Sequence, residues 1–140
     1  MQHYVRCPGS FLGMRPFTLY TAVGHDVTVR LGLDSDVYIH HVNMDKSHTI
    51  LVTDQHCLAV VHNKSRSVVK MGWRIQIKNI HNLPLIENDH LVVHLYENIS
   101  SEPLLIQCDN HEKLKSIQLA LEYAVLLTMP YTSSIYTKSQ

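Results

Sequence analysis

The residues best suited to chemistry in this sequence are its 11 histidines and three cysteines. Imidazole and thiolate groups bind zinc when four of them converge, and a cysteine beside a histidine can act as an activated nucleophile. Cys7, Cys57 and Cys108 lie far apart and form no Cys-x-x-Cys pair, a pattern that indicates neither a zinc site nor a disulfide framework. We therefore expect reduced cysteines, no bound metal and no cofactor.

Two residue pairs come nearest to a catalytic or metal-binding arrangement. His40 precedes His41, and His56 precedes Cys57. Both pairs lie in segments with the composition of strands, where successive side chains point to opposite faces. Neighbours on a strand are therefore poorly placed to share a metal ion or to form a thiol and base dyad. We therefore favour histidines that are hydrogen-bonded within the fold or face solvent over histidines that bind a metal. We also favour a core position for Cys57 over a catalytic one.

The sequence also lacks the motifs that usually mark an enzyme. It has no glycine-rich phosphate loop, no nucleophile elbow and no carboxylates spaced to meet in a cleft. We predict that the chain is not an enzyme, and a small metal-dependent enzyme is the alternative that metal analysis would test.

The strongest charge feature is a run of cations without any acidic residue between Asp54 and Glu87. These cations flank Trp73, and each cation near an anionic membrane contributes roughly 1 kcal/mol to binding. In one interpretation the cations form a basic face that contacts a membrane or a partner. In the other they are ordinary solvated residues, and Trp73 lies in the core. The residues of the predicted basic face are Lys64, Arg66, Lys70, Arg74 and Lys78.

Composition places these residues in one small globular domain. The chain has 140 residues, 45% of them hydrophobic and 17% charged, with 12 cations against 12 carboxylates. It is too apolar for a disordered tail, and it has no apolar stretch long enough for a membrane span. The zero formal charge argues against nucleic acid as a partner. The first residues do not resemble a secretory signal, so we expect a cytoplasmic protein.

The elements that position these residues are short strands followed by one helix. Residues 1–30 are interrupted by Pro and Gly and predict an extended arm, in which Thr18 to Val23 is the only helical candidate. Runs rich in β-branched and aromatic residues then predict about seven antiparallel strands. These runs cover residues 37–42, 49–54, 56–62, 68–78, 83–87, 90–97 and 104–108.

The last element is an amphipathic helix that follows the strands. Asp109 is the predicted N-cap, with Glu112 three residues later, and Met129-Pro130 ends the helix. Apolar residues at three- and four-residue spacing form a stripe that must cover an apolar surface. The residues predicted to plug the core are Leu114, Ile117, Leu121 and Val125. Residues 129–140 are expected to be a flexible tail.

Seven strands closed by one C-terminal helix is the order of elements in a pleckstrin-homology-like fold. We therefore predict a mainly β domain over residues 31–128, with a bent antiparallel sheet whose open end the helix covers. Lipid-binding domains of this fold usually gather cations in the first loop between strands. Here that loop holds one cation, Lys46, beside Asp45. Recognition of several phosphates needs more than one cation, so we expect no stereospecific phosphoinositide pocket.

Two stretches of sequence are similar to one known family. The strand segment Asp36-Val-Tyr-Ile-His-His-Val and the following Lys46-Ser-His-Thr-Ile-Leu-Val-Thr-Asp resemble the start of a C-terminal pleckstrin-homology-like domain. That domain belongs to the chorein family, the vacuolar-protein-sorting, bridge-like lipid transfer proteins. Val5-Arg-Cys-Pro and Leu12-Gly-Met-Arg-Pro-Phe resemble the family's segment before the domain. The resemblance spans residues 5–128, and the Golgi-associated member is the first candidate.

The resemblance implies that the chain is the tail of a much larger lipid transfer protein. Its implied role is a non-catalytic adaptor that brings that protein to a Golgi or endosomal membrane, at a membrane contact site. The expected partner is a resident protein, such as a small GTPase of the Arf or Rab type. The alternative is a module that binds anionic lipid directly through charge, and the salt dependence of binding separates the two.

Overall fold

The structure is a computed structural model that describes residues 3–6, 14–17, 25–62 and 69–129. The described residues form nine strands, two α-helices and one 3₁₀ helix at Ile77–Asn79. The elements are β1 (His3–Arg6), β2 (Met14–Phe17), α1 (His25–Arg30), β3 (Tyr38–Asn43), β4 (His48–Thr53), β5 (His56–His62), β6 (Val69–Gln76), β7 (Leu85–Glu87), β8 (His90–Val93), β9 (Leu104–Gln107) and α2 (His111–Leu127).

Seven of these strands form two antiparallel sheets. The first sheet has the order β3-β4-β5-β6 and the second has the order β7-β8-β9, so neighbours in sequence are neighbours in space. Strands β1 and β2 pair with each other, apart from both sheets. The seven strands of the two sheets and the C-terminal helix confirm the prediction of a mainly β, pleckstrin-homology-like fold.

Helix α2 closes the core between the two sheets. Leu114, Ile117 and Leu121 have no exposed surface, and Val125 is also buried. They share one apolar cluster with residues of both sheets, among them Val52 of the first sheet. Burial of apolar surface is the main favourable term in folding. The predicted stripe therefore lies at the centre of the core.

Local chemistry sets the two ends of α2. The side chain of Asn110 accepts a hydrogen bond from the Lys113 N–H at 3.2 Å, which makes Asn110 the N-cap. The prediction of Asp109 as N-cap is therefore wrong by one residue. At the other end, the Thr128 hydroxyl donates to the carbonyl of Val125 at 2.7 Å.

The two central strands of the first sheet, β4 and β5, are buried on both faces. On the face away from α2, Val27 of α1 and Leu33 share an apolar cluster with Leu51, Leu58 and neighbouring residues. Adjacent residues in β4 and β5 are consequently both apolar, as in strands covered on both sides. Helix α1 begins within the segment predicted as an arm, whereas the helical candidate 18–23 lies outside the described residues. The domain limits at residues 31 and 128 stay predictions.

Three predicted strands are shorter than expected by two residues or more. Strand β8 ends at Val93 because the chain then pairs locally with the segment before β7: the His81 N–H donates to the His94 carbonyl at 2.7 Å. Strand β7 begins only after Pro84, which has no N–H to donate. Strand β6 ends at Gln76, and the 3₁₀ helix begins at Ile77.

Candidate interaction surface

The loop between β3 and β4, at residues 44–47, is built around a carboxylate. Asp45 Oδ1 accepts hydrogen bonds from the Ser47 N–H at 2.7 Å and the Ser47 hydroxyl at 3.0 Å, and it lies 2.9 Å from His48 Nδ1. The Ser47 N–H and the His48 side chain lower the pKa of Asp45 to about 2. Asp45 is therefore negatively charged at neutral pH, directly beside Lys46, the loop's one cation. A loop with one cation beside a carboxylate binds phosphate poorly.

The described cations of the predicted basic face are Lys70, Arg74 and Lys78, and all three are exposed. Lys64 and Arg66 lie outside the described residues. Trp73 is partly buried and packs against the core cluster under α2. This position corresponds to the second interpretation of the tryptophan, as a core residue.

A β-bulge in β6 determines where Lys70 and Arg74 point. Trp73 pairs with Ala59 and Met71 pairs with Val60, so Gly72 is an extra residue in the strand. Residues paired across an antiparallel ladder share a face, which places Lys70 with Val61 and Arg74 with Leu58. These partners are three residues apart on β5 and lie on opposite faces. Lys70 and Arg74 therefore do not share a face, although four-residue spacing in a regular strand would give that result.

The described cations share a sheet edge, which we call the basic edge: Lys70 and Arg74 in β6, with Lys78 two residues after its end. The Arg74 guanidinium donates to the Leu31 carbonyl at 2.8 Å, so its charge is held beside the end of α1. A glycine inside a strand pattern often marks a bulge, and Gly72 was the sequence signal for this departure from a single basic face.

A polar cleft of about 330 Å³ lies at the end of β6, next to the basic edge. It carries both charges, since Asp54 and Lys78 both line it, together with amide and hydroxyl groups. Its lining residues are Asp54, Gln55, His56, Gln76, Lys78 and Thr128. The cleft fits polar groups rather than an apolar ligand.

The histidine and cysteine pair in β5 is divided between the two faces of the sheet. His56 Nδ1 lies 2.6 Å from Asp36 Oδ2, and the Thr53 hydroxyl donates to the same oxygen at 2.7 Å. The Asp36 side chain is nearly inaccessible, and no local sequence pattern had indicated its pairing with His56. Cys57 lies in the core on the other face, where burial raises the pKa of its thiol to about 12. Its thiol is consequently protonated and shielded at neutral pH.

Several other histidines are bonded within the fold. His40 Nε2 lies 2.6 Å from the Ser116 hydroxyl of α2, and His62 Nε2 lies 3.1 Å from the Thr49 hydroxyl. The described part of the chain contains no group of three or more His, Cys, Asp or Glu side chains placed to hold a metal ion. In the same residues, no helix has the length and apolar character needed to cross a bilayer.

Comparison with protein families identifies a match over most of the chain. The protein-family model described as "Intermembrane lipid transfer protein VPS13, C-terminal" matches residues 5–120. This range includes β3 to β9, the basic edge and the first half of α2. No curated protein matches the chain.

Proposed function

Because the chain belongs to the family of the C-terminal region of the intermembrane lipid transfer protein VPS13, we propose that it is a non-catalytic targeting domain of a bridge-like lipid transfer protein. It recruits that protein to an organelle membrane by binding a protein resident there, such as a small GTPase of the Arf or Rab type. Golgi and endosomal membranes at contact sites are the proposed locations.

The observation that carries the proposal is the composition of the loop between β3 and β4. A phosphoinositide clamp at this position needs several cations around the phosphates. Lys46 instead stands beside the Asp45 carboxylate, which local hydrogen bonds keep charged. Repulsion between this carboxylate and phosphate oxygens weakens headgroup binding, which favours a protein as the primary anchor.

The positions of the reactive side chains support a non-catalytic role. The Cys57 thiol has no exposed surface, and the imidazole beside it in the sequence points to the other face and pairs with Asp36. A nucleophile and its base must lie within hydrogen-bond reach of each other and of a substrate. These two side chains do not meet that condition.

The alternative function is a charge-dependent anchor that binds anionic lipid directly. Its support is the exposure of Lys70, Arg74 and Lys78, with no acidic residue between Asp54 and Glu87. Attraction between exposed charges falls steeply as salt shortens the Debye length to about 3 Å at 1 M. A purely ionic anchor therefore releases at high salt.

Protein-free liposomes made from the lipids of the target organelle test the lipid requirement. In co-sedimentation, we expect the full chain to bind weakly at low salt, to distribute equally among phosphoinositide isomers of equal charge, and to remain in the supernatant at about 0.5 M salt. The charge-reversed variant Lys46→Glu should, like the wild type, bind equally to phosphoinositide isomers of equal charge.

Saturable binding that distinguishes headgroup isomers and persists at high salt would contradict this prediction. It would show that a stereospecific lipid site exists and that a resident protein is not required for membrane binding.

A further inference from the structure

We propose that the outer edge of β6 binds an acidic, extended segment of the partner protein, which adds to the first sheet as a fifth strand. This inference rests on the proposed function, because it names the element by which the resident protein is held. Backbone pairing at a sheet edge supplies affinity without a deep pocket, and side chains on the added strand supply selectivity.

Strand β6 is the last strand of the first sheet. It is eight residues long, and in the described part of the chain no strand pairs with its outer side. An edge strand presents the N–H and C=O groups that its single neighbour does not use. Near the middle of β6, Met71 is 44% exposed, and Gly72, which has no side chain, is exposed through its backbone.

The direction of the backbone groups follows from two hydrogen bonds. The Ile77 N–H donates to the Gln55 carbonyl at 2.9 Å, directly after β6, so Ile77 points its backbone toward the β5 side. On β5, the His62 N–H donates to Ser47 on the β4 side. Backbone groups alternate along antiparallel strands. Gln76 and Arg74 lie one and three residues before Ile77, so their N–H groups point the opposite way, outward and away from β5.

Charge complementarity selects an acidic occupant. The bulge puts Lys70 and Arg74 on opposite faces of the sheet, and Lys78 follows the strand. A strand added beside β6 consequently meets cations on both of its faces. Strand β6 itself carries no carboxylate, and Asp54 lines the same cleft as Lys78 at the end of the strand. Acidic side chains on both faces of that strand match this pattern, and lysines there meet like charge.

The competing explanation is that the cations and the bulge only protect the edge from pairing with other strands, as they do in many sheet proteins. Protection predicts that no extended peptide binds to β6, whatever its charge. The two explanations therefore give opposite results in a direct binding measurement.

The decisive variant is Gln76→Pro. Gln76 has φ −89° and ψ 136°, within about 25° of the φ near −65° that proline fixes, and its N–H is not needed for the ladder with β5. Proline there removes one outward donor while leaving the sheet intact. Gln76→Ala is the matched control, since it removes the side chain and keeps the N–H.

The probe is a synthetic peptide of repeated Glu-Glu-Thr-Val, which carries glutamate on both faces when extended. We expect the wild-type chain and Gln76→Ala to bind it equally, with amide NMR shifts along β6, and Gln76→Pro to bind about tenfold more weakly. Lys70→Glu should also weaken binding. A peptide with lysine in place of glutamate should not bind. An acidic peptide methylated on alternate backbone nitrogens should not bind either. This last result does not depend on whether any variant of the chain folds.

Any one of four results would overturn the inference. Folded Gln76→Pro binds the acidic peptide as well as the wild type does, or the methylated peptide binds as well as the unmethylated one. Alternatively, the NMR shifts are confined to another surface, or sedimentation shows that two chains pair through β6. Recruitment to native membranes separates it from the proposed function. If recruitment needs membrane proteins but is unchanged in Gln76→Pro, the edge site is wrong and the adaptor role stands. If recruitment needs no membrane protein, the adaptor role itself is wrong.

Discussion

Replacing Leu121 with alanine should lower the free energy of unfolding by about 2–5 kcal/mol, the range for a buried leucine that leaves a cavity. Leu121 has no exposed surface and lies in the cluster that joins α2 to both sheets. The lost methyl groups and the empty space both contribute, because the surrounding residues relax only partly around the cavity. Urea or guanidinium titration followed by circular dichroism measures the change.

Leu119 provides the matched control in the same helix. Its side chain is 55% exposed, so Leu119→Ala should change the free energy of unfolding by about 0.5 kcal/mol or less. If Leu121→Ala costs less than about 1 kcal/mol, or no more than Leu119→Ala, helix α2 does not close the core and the description of the fold is wrong.

Cys57 should react with iodoacetamide roughly 1,000-fold more slowly than an ordinary cysteine at about pH 8, because only the thiolate is alkylated. Burial raises the pKa of its thiol from 9.0 to about 12, which reduces the thiolate fraction by about that factor at this pH. Limited access in the core slows the reaction further. Peptide mass spectrometry after timed labelling gives the rate for each cysteine separately.

Cys108 is the comparison within the same chain, since its side chain is partly exposed. Cys7 lies outside the described residues, so a Cys7→Ser background keeps the assay to these two thiols. Denaturant should bring the two rates together. Native Cys57 labelled as fast as Cys108 would place it at an accessible site and reopen its role as a nucleophile.

The helix and most strands were predictable because their signals are local. The spacing of Leu114, Ile117 and Leu121 needs only the period of an α-helix, and the strand runs need only their composition and turns. The N-cap is Asn110 and not the predicted Asp109. Side-chain geometry decides which of two adjacent residues caps the helix, and sequence spacing carries no information about that geometry.

The surface was less predictable because it depends on register. Lys70 and Arg74 have the spacing of residues on one face of a strand, and the single extra residue Gly72 separates them. The contact of Arg74 with Leu31 and the burial of Asp36 beside His56 join segments distant in sequence. Composition and periodicity carry no information about such pairs.

The most direct test of recruitment by a resident protein compares binding of the full chain to native organelle membranes before and after surface proteins are removed by protease, with the lipids left in place. Sedimentation of the labelled chain with each membrane measures binding, at physiological salt. The double charge reversal Lys70→Glu with Lys78→Glu is the companion variant, because it keeps the Arg74 contact with Leu31.

We expect protease treatment to abolish binding by the wild-type chain. Charge reversal should mainly slow association with intact membranes and increase its salt dependence. Binding that survives protease treatment and disappears on charge reversal would contradict this expectation. The domain would then be an anchor held by anionic lipid.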